Sequence, residues 1–208
     1  MLGKIVMGDA DVALEDPNKR NLVSEVSSSR TVYEGGKKTV VLLDCGAKDS
    51  IAKELHARGL TVIRVPWDHD FLAEDYDALF ISNGPGDPTA CAPAIENIRR
   101  ALQGTRPVMG ICLGHQLMAL ASGMEVYKMK VGHRGANQPV KNLDKGHVEI
   151  STQNHGFAVQ EDTITEAVAR VNHRNLNDRT VEGLRFARFP GVSVQYHPEA
   201  CPGPHDSR

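Results

Sequence analysis

A three-layer α/β domain, flavodoxin-like with a mostly parallel central sheet, is the fold this 208-residue sequence predicts, and three observations predict it. Short continuous apolar runs recur, such as Val40-Val41-Leu42-Leu43 and Ala78-Leu79-Phe80-Ile81. Runs of that length suit strands buried on both faces. Helical segments alternate with them through the first half of the chain, the pattern of helices crossing between parallel strands. Glycine or proline marks many of the junctions.

Taken in order, residues 1–37 are polar, turn-rich and weakly periodic, with Asp9, Asp11, Glu15 and Asp16 ahead of Pro17-Asn18-Lys19-Arg20-Asn21 and Ser27-Ser28-Ser29. They read as a linker or arm, and 38–208 as the folded domain. The spacing predicts strands at Val40–Leu43, Leu60–Val65, Asp77–Ile81 and Pro107–Ile111. Helices are predicted at Ile51–Arg58, Pro93–Leu102 and Leu113–Ala121, with Gly59 and Gly123 placed to close the first and the last. After Gly123 the pattern turns strand-like and irregular, with candidates at Glu125–Met129, His147–Thr152, Val168–His173, Val181–Ala187 and Val192–Tyr196. An antiparallel region is expected there.

Composition excludes several classes of function. A net charge of -2 and an aromatic content of 5% give no electrostatic or stacking case for nucleic acid. No apolar run reaches the length of a membrane span, and Met1–Val6 does not open a signal peptide. Cysteines at 45, 91, 112 and 201 form no CxxC pair, which points to a reducing, cytoplasmic setting.

The sharpest feature is Gly110-Ile111-Cys112-Leu113-Gly114, between a predicted strand and a predicted helix. This is a G-x-C-x-G form of the nucleophile elbow, in which small residues permit a turn that pushes the thiol out at the carboxyl edge of the sheet. The helix that opens there aims its positive end at the sulfur, favouring thiolate. The alternative is a buried structural cysteine.

A thiol nucleophile needs a base and a group to orient it. His197-Pro198-Glu199 supplies both types at the end of a predicted strand, and residues two apart on an extended chain face one side. Alone it also reads as a solvated turn. Ser82-Asn83-Gly84-Pro85-Gly86-Asp87-Pro88 ends a third strand. Glycine there would let backbone N–H groups approach an oxyanion, although an ordinary turn has the same composition.

Together Gly110–Gln116, Asn83–Pro88 and His197–Glu199 resemble the class I (triad) glutamine amidotransferases. Gly132–Val140, Gln153–Val159 and Pro202–Asp206 narrow the resemblance to the small-subunit family of carbamoyl phosphate synthetase. The resemblance runs from about Asp16 to the end of the chain. It implies that Cys112 is the nucleophile, His197 the base and Glu199 its orienting carboxylate. It implies an oxyanion hole from the N–H groups of Gly84 and Leu113. Gly86, Gln116, Asn154, Gly156 and Phe157 would line the glutamine pocket, with 153–157 as a polar loop. It further implies a large synthetase subunit as partner, holding the ATP and metal sites, with no cofactor in this chain. The family carries an additional N-terminal domain that lends a serine to the glutamine site, and a short helix is expected beyond Arg208. Two other readings stay open: a non-catalytic docking or regulatory module of a synthetase, and the same chemistry serving another acceptor such as anthranilate or a nucleotide.

The remaining candidates read blandly. Cys45 packs, while Cys91 and Cys201 receive no role. His115 is structural. His133, His147 and His173 are scattered without metal-ligand spacing, and no metal site is expected. His155 sits in the substrate-like loop, where it could tune the site. Lys128, Lys130 and Arg134 form a modest basic cluster that reads as a solvated face. Gly46-Ala47-Lys48 is not a P-loop.

Overall fold

A computed structural model describes residues 5–8 and 13–200. Asp9, Asp11, Cys201 and the 202–206 motif lie outside the described residues. The first crossover unit runs from β2 (Thr39–Asp44) through α2 (Asp49–Ala57) to β3 (Thr61–Pro66). Then come β4 (Ala78–Ile81), α3 (Ala92–Ala101), β5 (Val108–Ile111) and α4 (Leu113–Ala121). The bounds of α4 coincide with those predicted. Five strands follow: β6 (Val126–Asn142), β7 (Val148–Val159), β8 (Ala169–Asn175), β9 (Val181–Phe186) and β10 (Gly191–Val194). Ahead of β2 lie α1 (Leu22–Val26) and β1 (Thr31–Tyr33).

Among the described residues all ten strands join one mixed sheet in the order β1-β3-β2-β4-β5-β10-β9-β8-β6-β7. The central strands β3, β2, β4, β5 and β10 are mutually parallel. β1 and the β9-β8-β6-β7 wing are antiparallel, so the second half behaves as its irregular pattern suggested.

Alternation along β2 explains the layers. Val41 and Leu43 pack with Ala94 and Ile98 of α3 and Leu117 and Met118 of α4. Val40 and Leu42 point the other way, onto Ile51 and Ala52 of α2. Leu42 and Leu43 are fully buried, and burial of each side chain contributes about 1.5–3 kcal/mol.

Two elements depart from the sequence reading. β6 and β7 are far longer than the short strands expected, and the polar 153–157 stretch is strand rather than loop. Gly132, Gly135 and Pro139 disguise this hairpin. Its register shifts between Lys128 and His133 and again between Gly135 and Gln138, which breaks the alternation a strand normally shows. Residues of the arm also pack on the domain. Val23 is in the main core, β1 pairs with β3, and Ser28 binds the Asp44 carboxylate through both its N–H and its hydroxyl.

Candidate active site

The elbow forms because its glycines leave no alternative spacing. A Cβ on Gly114 would collide with the carbonyl of Ile81 in β4, and one on Gly110 would lie 2.7 Å from the Gly114 carbonyl carbon. Helix α4 therefore seats directly against the sheet. Cys112 between them takes φ 53 and ψ -103, a conformation that non-glycine residues seldom adopt and that clusters at functional sites. Its amide donates to the Val194 carbonyl at 2.9 Å, tying the elbow to the end of β10. Three residues beyond Val194 the chain reaches His197.

The structure brings Cys112, His197 and Glu199 together. Nδ1 of His197 lies 2.8 Å from Oε1 of Glu199, and the imidazole lies close enough to the Cys112 side chain for the two to interact. All three are buried. Burial opposes charge on His197, yet the bonds to Cys112 and Glu199 outweigh it and raise the imidazole to about 9. Burial likewise opposes charge on Glu199, but His197, with help from Lys48, holds that carboxyl below its usual range. Nζ of Lys48 sits 3.2 Å from the same Oε1.

Lys48 reaches that position through Asp44. The buried Asp44 carboxylate accepts from the amides of Gly46 and Ala47 at 2.8 and 2.6 Å and pairs with Arg64 at 2.9 Å, folding the turn that precedes α2. Those backbone donors keep the Asp44 carboxyl below its usual range despite its burial. Comparison with a P-loop alone concealed Lys48, because its partner is distant in sequence.

A cavity of about 860 Å³ opens over the sulfur. Every other predicted site residue except Leu113 lines it: Gly84, Gly86, Gln116, Asn154, Gly156 and Phe157. Leu113 is the first residue of α4, so its amide has no helical acceptor. A Cβ on Gly84 would lie 2.6 Å from the Leu113 side chain, so the two predicted oxyanion donors come from adjoining segments. Sγ of Cys112 stands 4.0 Å from the Asn154 carbonyl. Gln116 donates both Nε2 protons inside the protein, to Phe157 O at 3.1 Å and to Gln195 Oε1 at 3.0 Å. What it offers a ligand is its acceptor oxygen.

Two readings of the sequence need correction. Lys128 and Arg134 are not simply a solvated face: both line the cavity, as does Lys48. Pairing opposite Phe157 and Asn154 across the β6–β7 hairpin puts them there. His133 is not isolated either. It lies among His155, Gln153 and Glu182, residues brought in by the register of β6 on β7 and by the approach of β9. Cys91 is fully buried at the N-cap of α3, and burial raises its thiol to about 11. Cys45 is buried at the end of the β2 run, and desolvation pushes its thiol well up. His115 is buried with Nδ1 2.8 Å from Ser193 Oγ, and burial lowers it to about 3. No helix among the described residues is long and apolar enough to cross a membrane.

Known proteins share this architecture and sequence. The model of the family "Glutamine amidotransferase class-I" matches residues 41–208. The carbamoyl phosphate synthase small chain of Listeria monocytogenes serotype 4b (strain F2365) is 50% identical over 188 residues, covering 88% of this chain and 52% of that one. The protein of the same name from Pyrococcus furiosus is 44% identical over 210 residues, covering 99% and 56%. The chain thus spans about half the length of the curated relatives it matches. A solved glutamine amidotransferase structure from Thermotoga maritima superposes with a TM-score of 0.64 at 16% identity, covering 78% of this chain and 76% of that one.

Proposed function

The chain belongs to the class-I glutamine amidotransferase family, and from that premise we propose that it hydrolyses L-glutamine to glutamate and ammonia through a thioester on Cys112. One observation carries the reading: Cys112 and His197 line one wall of a cavity rich in cationic and amide groups, with Glu199 holding the imidazole from behind at 2.8 Å.

In this reading the Cys112 sulfur attacks the side-chain amide carbon of glutamine. The carbonyl oxygen takes the negative charge and is met by the N–H groups of Gly84 and Leu113. A single donor of this kind is typically worth about a hundred- to a thousand-fold in rate. His197, carrying the proton, gives it to the departing nitrogen, and ammonia leaves as the C–N bond breaks. His197 then takes a proton from water, whose oxygen attacks the thioester carbon. The C–S bond breaks, and glutamate and the Cys112 thiolate are restored. Glu199 keeps the imidazole oriented throughout. The acceptor oxygen of Gln116 suits the substrate ammonium, while Arg134 and Lys128 suit its carboxylate. Gly86, Asn154, Gly156 and Phe157 complete the pocket.

Residues 38–208 are the amidotransferase domain in this reading, and 1–37 an arm leading into it. Relatives at 44–50% identity are named carbamoyl phosphate synthase small chain, which supports a large synthetase subunit as the ammonia acceptor; the cysteine usage suits the cytoplasm. ATP and metal chemistry would belong to that partner. The test is glutamate release from L-glutamine with the partner present. Wild type turns over, and Cys112→Ser falls to background; full activity in Cys112→Ser overturns the assignment.

A further inference from the structure

At the cavity wall, which His155 itself lines, four buried side chains from three strands point their acceptor atoms at one spot. His133 comes from β6, Gln153 and His155 from β7, and Glu182 from β9. Glu182 is fully buried, Gln153 is 1% exposed, His155 6% and His133 9%. The outer nitrogens fix the tautomers. Nδ1 of His155 is 2.8 Å from the Phe157 carbonyl, which can only accept, so Nδ1 carries hydrogen and a neutral ring presents a lone pair at Nε2. Nε2 of His133 is 2.8 Å from the Asp178 carboxylate, so Nε2 carries hydrogen and a neutral ring presents a lone pair at Nδ1. Gln153 donates Nε2 to Glu182 Oε2 at 3.0 Å and to Ser151 Oγ at 3.1 Å, which turns its oxygen toward both rings. A flipped amide would instead set that oxygen against the Glu182 carboxylate.

The spacing of the inward atoms is that of a metal's ligand shell. His133 Nδ1 is 3.2 Å from His155 Nε2 and 3.2 Å from Glu182 Oε1, and the latter two are 3.9 Å apart. Gln153 Oε1 lies 2.8 Å from His133 Nδ1 and 3.0 Å from His155 Nε2. Tetrahedral ligands at about 2.0–2.1 Å from zinc stand about 3.3–3.4 Å from one another. Asn175 Nδ2 approaches His133 Nδ1 and Glu182 Oε1 at 3.4 Å each, a weak contact at the edge of the group.

A proton on His133 Nδ1 would answer the buried Glu182 charge. It would still leave the lone pairs of His155 Nε2 and Gln153 Oε1 facing each other at 3.0 Å. A single cation at the centre satisfies all four acceptors. We propose that His133, His155 and Glu182, with the amide oxygen of Gln153, form a binding site for a divalent transition metal of the zinc class. Two imidazoles and a carboxylate suit such an ion, and the Phe157 carbonyl and Asp178 orient the rings as outer partners of metal-bound histidines do. The bound ion clamps β9 to the β6–β7 hairpin and fixes the strand that presents Asn154 and Gly156 to the cavity. The proposal stands apart from the nucleophile assignment, since Cys112 takes no part in it.

The test uses the full chain carrying Cys112→Ser, which removes the thiol at the neighbouring site. Chelator-stripped protein is titrated with Co²⁺ alone and then with Zn²⁺ in competition. One equivalent of Co²⁺ should bind with the intense visible absorption of tetrahedral coordination and be displaced by Zn²⁺. Asp178→Asn, a substitution at a half-exposed side chain, should weaken binding about 10- to 100-fold, and Glu182→Gln by at least as much. Absence of a stoichiometric site in folded protein would overturn the proposal, as would undiminished affinity in Glu182→Gln.

Discussion

Oε1 of Glu199 is shared: Nδ1 of His197 lies 2.8 Å from it on one side and Nζ of Lys48 3.2 Å on the other. The carboxylate therefore stays anionic although it is 9% exposed, and with Cys112 it lifts the buried imidazole. The arrangement couples the protonation of His197 to a residue at the N-cap of α2 and gives the site a measurable pH signature.

That signature is an alkaline limb. His197 is raised from 6.5 to about 9, so the protonated imidazole needed at the leaving nitrogen disappears as pH rises through that value. The profile of kcat/KM for glutamine hydrolysis should fall above about pH 9. Glu199→Gln removes one of the interactions that raise the imidazole. It should move the limb to lower pH and reduce kcat, by up to about the 10²–10⁴-fold that general acid–base catalysis supplies. An unchanged limb in Glu199→Gln would separate Glu199 from His197.

The same shift has a stability consequence. The folded value of His197 exceeds its ordinary 6.5, so its contribution to folding is complete below 6.5 and is lost as pH climbs through about 9. His115 works oppositely. Burial lowers it to about 3, so its contribution is complete above 6.5 and drains away as pH falls below it. Urea midpoints measured from pH 7 to 4 should decline. His115→Gln should shallow that decline by up to about 1.4 kcal/mol per pH unit, the slope for one proton.

Substrate recognition should separate from chemistry at Arg134. Its guanidinium lines the cavity next to Gly156, outside hydrogen-bond range of the triad. Arg134→Met should raise KM for glutamine about tenfold or more, the scale of one lost charge-assisted bond, with kcat within about twofold. A kcat collapse at unchanged KM would contradict that placement.

The elbow was legible in the sequence because its constraint is local. Gly110, Cys112 and Gly114 sit at fixed spacing between a run of strand residues and a run of helix residues, and α4 follows directly. Gly114→Ala should cost about 1–3 kcal/mol or more in thermal unfolding, since its methyl would meet the Ile81 carbonyl in β4. The hairpin of β6 and β7 was not legible, because bulges after Lys128 and Gly135 break the alternation that marks a strand. With it went the cavity position of Lys128 and Arg134 and the meeting of His133 with His155 and Glu182. Those groups are 22 and 49 residues from His133 in sequence, and only pairing register and the curl of the sheet bring them together. Lys48 stayed hidden for the same reason, its carboxylate partner lying at the other end of the chain.

Treatment with a thiol-reactive analogue of glutamine, in the presence of the proposed synthetase partner, tests the nucleophile most directly. One label per chain, mapped by mass spectrometry to Cys112 and suppressed by excess glutamine, is the predicted result. A folded sample that takes no label, or that takes it at Cys45 or Cys91 instead, would contradict the account.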